Sequence, residues 1–493
     1  MDNSKLNKES DRNTGDMPVD DFRLYGHKLV DWIADYLNDI EKYPVLSKVS
    51  PGEIKNNLPA SAPQNGESME DILNDFNKYI LPGITHWNHP NFMAYFNSTS
   101  SAPGILGEFL SAALNVNGML WKTSPAATEL EQVTLTWFKK MLGVPEEFWG
   151  IIYDTASVST MHAVAAAREQ LSRFGLRQKG LAGRSDVPPL RLYASEQAHS
   201  SVDKAAIAMG IGIDGIRKIA VDREFKMIPS ELEKAITEDI KKGFLPFCAV
   251  ATIGTTSTTS IDPIPEIAGI CRRYNLWLHV DAAHGGIAAA VPEMRYIFEG
   301  IDQADSIVIN PHKWMFTPVD LSVFFTKKPE VLKRAFSLVP EYLKTSVDQV
   351  VENYMDYGVQ LGRRFRSLKL WFILRYFGTD GIASRIKEHL RLGKLFAEWI
   401  DMNPNFEKMA PVPFSTICFR ANPANIKTEK ELDRLNENLM NAVNATGKIF
   451  ITQTKLHNKF VLRLVISGLR TEEKHLTIAE KVIEETLSEL LKS

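Results

Sequence analysis

Three features of the 493-residue sequence predict an α/β fold with a smaller α+β domain attached. Between about 150 and 330, seven short β-rich runs alternate with helical stretches. After about 386 the order changes to a helix, scattered β-rich runs and a closing helix. The first hundred residues carry amphipathic segments with too little apolar content for a core of their own. Alternation of strand and helix argues for a mainly parallel sheet covered on both faces, with ligand sites beyond the carboxyl ends of its strands.

The elements follow in order. Residues 1–18 are polar and expected to be a disordered tail. Phe22, Tyr25, Leu29, Trp32, Ile33, Tyr36, Leu37 and Ile40 then recur at helical spacing. From 47 to 66 the chain is rich in Pro, Asn and Ser and reads as an extended connector. DILNDFNKYILPG reads as a second helix closed by Leu81-Pro82-Gly83. This N-terminal helical segment, 19–100, needs another domain or subunit to pack on. The strands of the large domain, 101–385, are expected at 150–153, 190–194, 216–221, 247–252, 277–281, 306–309 and 322–326. STMHAVAAAREQL, PSELEKAITEDIKKG and PIPEIAGICRRYN supply helices between several of them. In the small domain, 386–493, GIASRIKEHLRLGKLFAEWI leads in as a helix. Strands are expected at 414–419 and 460–465, and a last helix from Thr471.

Apolar residues at 44% and charged residues at 24% are the balance of a globular chain, which excludes wholesale disorder. A net charge of −3, mixed in sign along the chain, argues against a nucleic-acid partner. No apolar run is long enough to span a bilayer, so no membrane role is expected. Cys248, Cys271 and Cys418 lie far apart without metal-ligand spacing, so no metal is expected and the thiols read as small buried hydrophobes of a reducing compartment. With no signal- or transit-peptide pattern at the start, a cytoplasmic enzyme is the default.

The strongest chemical signal is Ser306-Ile307-Val308-Ile309-Asn310-Pro311-His312-Lys313-Trp314, an apolar strand that ends at Asn-Pro and then presents a lysine. Lysine is costly to bury, and a Schiff base with an aldehyde cofactor is one reason to place it there. Taken alone, it also reads as a surface lysine just past a strand. A second strand, Leu276-Trp277-Leu278-His279-Val280-Asp281-Ala282-Ala283, ends in an acid followed by two alanines small enough to admit a flat ring. Such a carboxylate suits a pyridinium nitrogen, although a helix cap or an ion pair would use it equally. Asp154-Thr155-Ala156-Ser157-Val158-Ser159-Thr160 lies where a strand turns into a helix, a place that binds anions and is also an ordinary cap. His199, in Glu196-Gln197-Ala198-His199-Ser200-Ser201, could stack on a ring or sit exposed in a loop. Thr252, in Ala251-Thr252-Ile253-Gly254-Thr255-Thr256, could touch a ring substituent or merely form a turn.

Together these segments resemble the group II pyridoxal-phosphate decarboxylases, and specifically the aromatic-L-amino-acid decarboxylases. The resemblance runs from about Phe22 to the C-terminus. It also includes THWNHPNFMAYF at 85–96, SPAATELE at 124–131, EQAHSSVDKA at 196–205 and LGRRFRSLKLW at 361–371. It implies fold type I, an aspartate-aminotransferase-like large domain with a mainly parallel seven-stranded sheet and a smaller C-terminal domain. It also implies a homodimer whose N-terminal segment wraps the neighbour. By motif, Lys313 would carry pyridoxal 5'-phosphate, Asp281 would pair with its ring nitrogen and His199 would stack on the ring. Ala156, Ser157 and Asn310 would hold the phosphate, Thr252 and Ala283 would flank the ring, and His312 would sit beside the lysine. Tyr342, in Pro340-Glu341-Tyr342-Leu343-Lys344, matches the loop tyrosine associated with returning the proton to the substrate carbon. Ser98 stands where the animal enzymes have a substrate-contacting threonine. Trp87, Tyr95 and Phe96 would supply aromatic walls, with plain core packing as the alternative for each.

The expected reaction is decarboxylation of an L-amino acid, aromatic by this resemblance, to the amine and carbon dioxide. Relatives that form aldehydes tend to replace the loop tyrosine with phenylalanine or the stacking histidine with asparagine, and this chain keeps both. Departures open a second substrate class. His284 stands where animal aromatic decarboxylases have tyrosine, in a form also seen in glutamate and cysteine-sulfinate decarboxylases. Asn97 replaces a pocket proline, and Asn117 and Met119 replace an isoleucine and a phenylalanine. An aldehyde synthase, an acidic-amino-acid decarboxylase, a transaminase and a silent cofactor-binding scaffold are the alternatives.

Overall fold

The computed structural model describes residues 15–338 and 350–492, which fall into two compact units, 1–89 and 90–493. The first unit opens with the helix Val19–Asn38, whose first turn carries Asp20 and Asp21 at the positive end of the helix dipole. None of its residues is buried, and Phe22, Leu24 and Val30 stand exposed. Its interior is a cluster of rings: Trp32 stacks on Tyr36 at 5.3 Å, and Tyr43 lies 4.8 Å from His86. The connector after residue 47 is not wholly extended, since a short helix spans Glu53–Asn57. The second expected helix is real but changes pitch. It runs as an α-helix over Met69–Asp75, capped by the Ser68 hydroxyl, then widens to a π-turn over Phe76–Ile80 and tightens over Leu81–Gly83. Pro82 has no amide to continue the helical ladder, which ends it there.

In the second unit all seven expected strands of the large sheet are present. They are β1 (Trp149–Tyr153), β2 (Leu190–Ser195), β3 (Ile216–Ile219), β4 (Leu245–Thr252), β5 (Trp277–Asp281), β6 (Ser306–Ile309) and β7 (Ser322–Thr326). Their order across the sheet is β1-β7-β6-β5-β4-β2-β3. β7 runs antiparallel to both neighbours and the other pairs are parallel. Every residue of β5 and β6 is buried, which is why these strands read as continuous apolar runs and not as alternating ones. Within β5, His279 meets the Ser306 hydroxyl through Nδ1 at 2.9 Å. β3 stops short of the expected Val221, because that residue pairs with Met227 across a turn.

The smaller sheet has four antiparallel strands in the order β10-β11-β9-β8: β8 (Phe406–Lys408), β9 (Thr416–Ala421), β10 (Thr452–Leu456) and β11 (Lys459–Val465). Two of these were not expected. β8 is three residues long, and β10 reads TQTKL, with no apolar alternation to mark it. The hairpin joining β10 to β11 turns at His457 and Asn458, both with positive φ, as a tight two-residue β-turn requires. The helix before this sheet spans Arg366–Met402 and is interrupted at Gly378. The closing helix, Glu473–Leu490, begins beside the expected Thr471. Each sheet has its own apolar cluster: Leu278, Val280 and Ile307 belong to one, Ile417, Phe419 and Leu464 to the other.

Candidate active site

The parallel register brings three strand ends together. Thr252 of β4 stands opposite Asp281 of β5, and Asp281 stands opposite Val308 of β6. Beyond them the chain stays in step: the Ala282 amide donates to the Val308 carbonyl, and the Asn310 amide to that of Ala283. Lys313 follows on the short helix Pro311–Trp314, its own amide donating to the Asn310 carbonyl at 3.0 Å. These ends floor a cavity of about 510 Å³. Lys313, Asp281, His199, Thr252, Ala283, Asn310 and His312 all line it, and Ala156 and Ser157 line it from the end of β1. Ala156, Ala283 and Val308 make a small apolar patch there.

Each side chain has a definite setting. Burial holds the Lys313 ammonium below its ordinary pKa; Asp281 draws it back up and Arg463 pushes it further down. One Asp281 oxygen takes the Ala283 amide at 3.1 Å. His199 accepts the Ser201 amide at Nδ1, 3.1 Å away, so its neutral form carries the proton on Nε2. Burial, the largest influence, lowers its pKa, while Asp281 raises it. His312 accepts the Leu321 amide at Nδ1, and burial drives its pKa down to about 3, leaving it neutral. At the helix Ala156–Glu169, Thr155 caps the N-terminus by accepting the Val158 amide, and the free amides beside it suit an anion.

The sequence does not mark Arg463, Ser257, Thr452, Gln453 or Thr454 as wall residues, and His284 stands there as a departure without its stacking role. Arg463 is tied by Nη1 to the Tyr95 carbonyl at 2.8 Å and by Nε to the Ser257 carbonyl at 3.1 Å, and its guanidinium carbon lies 4.6 Å from the Phe96 ring centre. Thr452 is its direct cross-strand partner in β10. The His284 imidazole stacks on Phe96 at 3.7 Å and on Trp314 at 4.9 Å, and burial keeps it neutral. Only the Lys313 flank of this wall was legible beforehand; Arg463 lies 150 residues away in a strand that reads as core (463 − 313).

Other expected residues go elsewhere. Tyr95 and Phe96 line the cavity, with the Lys313 amine 5.3 Å from the Phe96 ring centre. Ser98, Asn117 and Met119 do not. The Asn117 carboxamide oxygen accepts the Arg363 amide at 2.9 Å, and Met119 packs with Leu120 while its carbonyl takes the Met355 amide. Asn97 is fully buried; its amide nitrogen donates to the Phe92 carbonyl at 3.2 Å, while its carboxamide oxygen has no hydrogen-bond partner among the described residues. Trp87 belongs to the first unit, and Tyr342 lies outside the described residues.

Residues 51–422 match the family model of the pyridoxal-dependent decarboxylase conserved domain. The chain belongs to this family. It is 41% identical to a phenylacetaldehyde synthase of Arabidopsis thaliana, over 96% of this chain and 97% of that one. It is 39% identical to tyrosine decarboxylase 4 of Petroselinum crispum, over 99% and 97%. Its fold matches the crystal structure of Oryza sativa TDC with PLP and tryptamine at a TM-score of 0.92 and 34% identity, covering 96% of this chain and 99% of that one.

The family's cofactor is pyridoxal phosphate, and the cavity fits it. Among the described residues, the Thr252 hydroxyl, the Asn310 carboxamide oxygen and Arg463 Nη2 are buried without a hydrogen-bond partner. Buried polar groups are normally paired, so these are groups awaiting a polar ligand. An amine, a carboxylate at strand distance, helix-end amides and a two-alanine floor match an aldehyde, a pyridine nitrogen, a phosphate and a flat ring in turn.

Proposed function

We propose that this protein decarboxylates an aromatic L-amino acid to the amine and carbon dioxide. The observation that carries the substrate class is the aromatic wall beside the reactive amine: Phe96 lies under Lys313 and is held from behind by His284 and Trp314. The similarity to tyrosine and tryptophan decarboxylases supports it. In this reading Lys313 would hold the cofactor covalently, and its lowered pKa favours the free amine that reacts with an aldehyde. Asp281 would keep a proton on the ring nitrogen. Ala156, Ser157, Asn310 and His312 would hold the phosphate, and Thr252, Ala283 and His199 would bracket the ring. Bound pyridoxal phosphate supplies an electron sink for the pair released when the bond to the carboxylate breaks. Arg463 offers Nη2 to the departing carboxylate. Tyr342 returns the proton to the α-carbon.

Similarity to a phenylacetaldehyde synthase favours a second reading, in which oxygen is consumed and aldehyde, ammonia and peroxide form. One experiment separates the two. Purified enzyme with pyridoxal phosphate is given phenylalanine, tyrosine, tryptophan and glutamate, and products are identified by mass. Amine from an aromatic substrate without peroxide is expected, with turnover abolished by Lys313→Ala and product diverted to aldehyde by Tyr342→Phe. Amine from glutamate alone, or peroxide from the unaltered enzyme, would refute the proposal.

We also infer a homodimer. The helix Ala102–Leu114 leaves Leu106, Phe109, Leu110 and Leu114 exposed at helical spacing, an apolar face that suits a second copy. Asn117 is exposed just beyond that helix. Sedimentation should give twice the chain's mass, and Leu110→Glu should shift it toward the monomer; a monomer at micromolar concentration would contradict this. The three cysteines are free and buried, which supports a reducing, cytoplasmic setting.

A further inference from the structure

β4 ends at Thr252, and the chain returns to it at Asp262. The Asp262 amide donates to the Thr252 carbonyl at 2.9 Å, while one Asp262 carboxylate oxygen accepts the Thr252 amide at 2.8 Å. The other oxygen accepts the Met227 amide, also at 2.8 Å. Asp262 is 1% exposed. Among the described residues no cationic side chain pairs with it, so two backbone amides are what its charge rests on. Burying a carboxylate on those terms is costly, and a fold that needed only a turn there could use a neutral side chain. Thr252 is the member of β4 that faces Asp281 in register, and the next amide, of Ile253, donates to the Asp281 carbonyl. Movement of Thr252 therefore moves the wall against which Asp281 is set.

We propose that Asp262 is a positioning residue: by accepting Thr252 and Met227 together it locks the end of β4 beside Asp281, and protonation makes it release one of them. The proposal rests on the reading of Thr252 and Asp281 as residues that hold the cofactor. A carboxylate presents two acceptor oxygens, whereas the acid turns one of them into an O–H donor that cannot take an amide proton. Burial pushes the Asp262 pKa up to about 6 and Asp222 adds to the rise, against the pull of the two amides. The other charged groups nearby offer little resistance. Glu224 and Lys226, on the same turn as Met227, pair with each other at 2.6 Å; Glu266 is on the helix Ile264–Arg273, and Glu299 follows the segment Pro292–Phe298. With Asp262 these four line a second cavity of about 580 Å³, separate from the one lined by Lys313.

The test is amide hydrogen exchange on the full chain without cofactor, at about pH 7.5 and about pH 5, corrected for intrinsic rates, in peptides covering 222–230 and 247–256. In the unaltered protein, protection at Thr252 or at Met227, whichever amide the acid releases, should fall ~10-fold on acidification, the worth of one hydrogen bond to a charged acceptor. Asp262→Asn, which keeps the shape but has one acceptor, should show the lower protection at both pH values. It should also weaken pyridoxal phosphate binding ~10-fold near neutral pH, read by absorbance. Protection that does not change with pH in the unaltered protein overturns the proposal, whether or not the variant folds. So does an Asp262→Asn protein with unaltered protection, or one that loses protection yet binds cofactor as tightly as before. Because exchange is read without cofactor or substrate, its outcome is independent of which amino acid the enzyme accepts.

Discussion

Arg463 illustrates how a single side chain at this site is built. Two of its donors are spent on the Tyr95 and Ser257 carbonyls, which fixes the guanidinium plane and leaves Nη2 without a partner among the described residues. Burial drops its pKa to about 10, which still leaves it charged at neutral pH. Lysine there would keep the charge and lose the fork, so Arg463→Lys should lower kcat/KM by roughly 10-fold or more for every substrate alike, because each carries the same α-carboxylate. A loss confined to acidic amino acids would instead assign Arg463 to a side-chain carboxylate. At this scale the sequence was uneven. Lys313 and Asp281 were legible because a charged residue at the end of an apolar strand is a conspicuous exception. Arg463 and Thr452 were not, because nothing local distinguishes a cavity-facing residue of β10 or β11 from one facing a helix.

At the scale of elements, the helix Arg366–Met402 is broken where Gly378 takes φ 66° and ψ 172°, a conformation that only glycine adopts without strain. A methyl group added there would meet nothing within 4 Å, so the cost of a side chain is purely that of the backbone. Gly378→Ala should therefore lose about 1–3 kcal/mol of stability with no loss of packing, read as a lower urea midpoint with an unchanged m-value. An unchanged midpoint would mean that the break is not enforced. The same scale explains the missed strands. The seven central strands carry apolar runs because both faces are covered, whereas β10 lies at the edge of its sheet, where TQTKL can face solvent on alternate residues.

Across the whole molecule, buried histidines set the response to acid. Burial lowers His162 and His312 to about 3, and His279 and His389 to about 4, from an ordinary 6.5. An unfolded chain takes up protons at these sites near pH 6.5 that the folded chain refuses. The stability they protect is full above 6.5 and lost as pH falls toward 4, each site contributing up to about 1.4 kcal/mol per pH unit. Asp262, raised to about 6, and Glu480, raised to about 7, act in the opposite direction, favouring the fold as pH falls below those values, but they are two groups against these four histidines. The urea midpoint should thus be clearly lower at about pH 5 than at about pH 7, and a midpoint that held or rose would show that the histidines are already protonated in the fold.

The sequence by itself determined the class of sheet, the seven strands and their helices, the lysine and the acid at adjacent strand ends, and the family they imply. Those are consequences of local pattern: period, burial run and the exceptional charged residue. Tertiary structure decided what closes the cavity from the far side. Arg463 and His284 converge on Phe96 from separate parts of the chain, with Thr452 opposite Arg463, while Asn117 and Met119 accept the backbone amides of Arg363 and Met355. Convergence of that kind depends on how two sheets pack, a long-range property to which each residue's neighbours in sequence are blind.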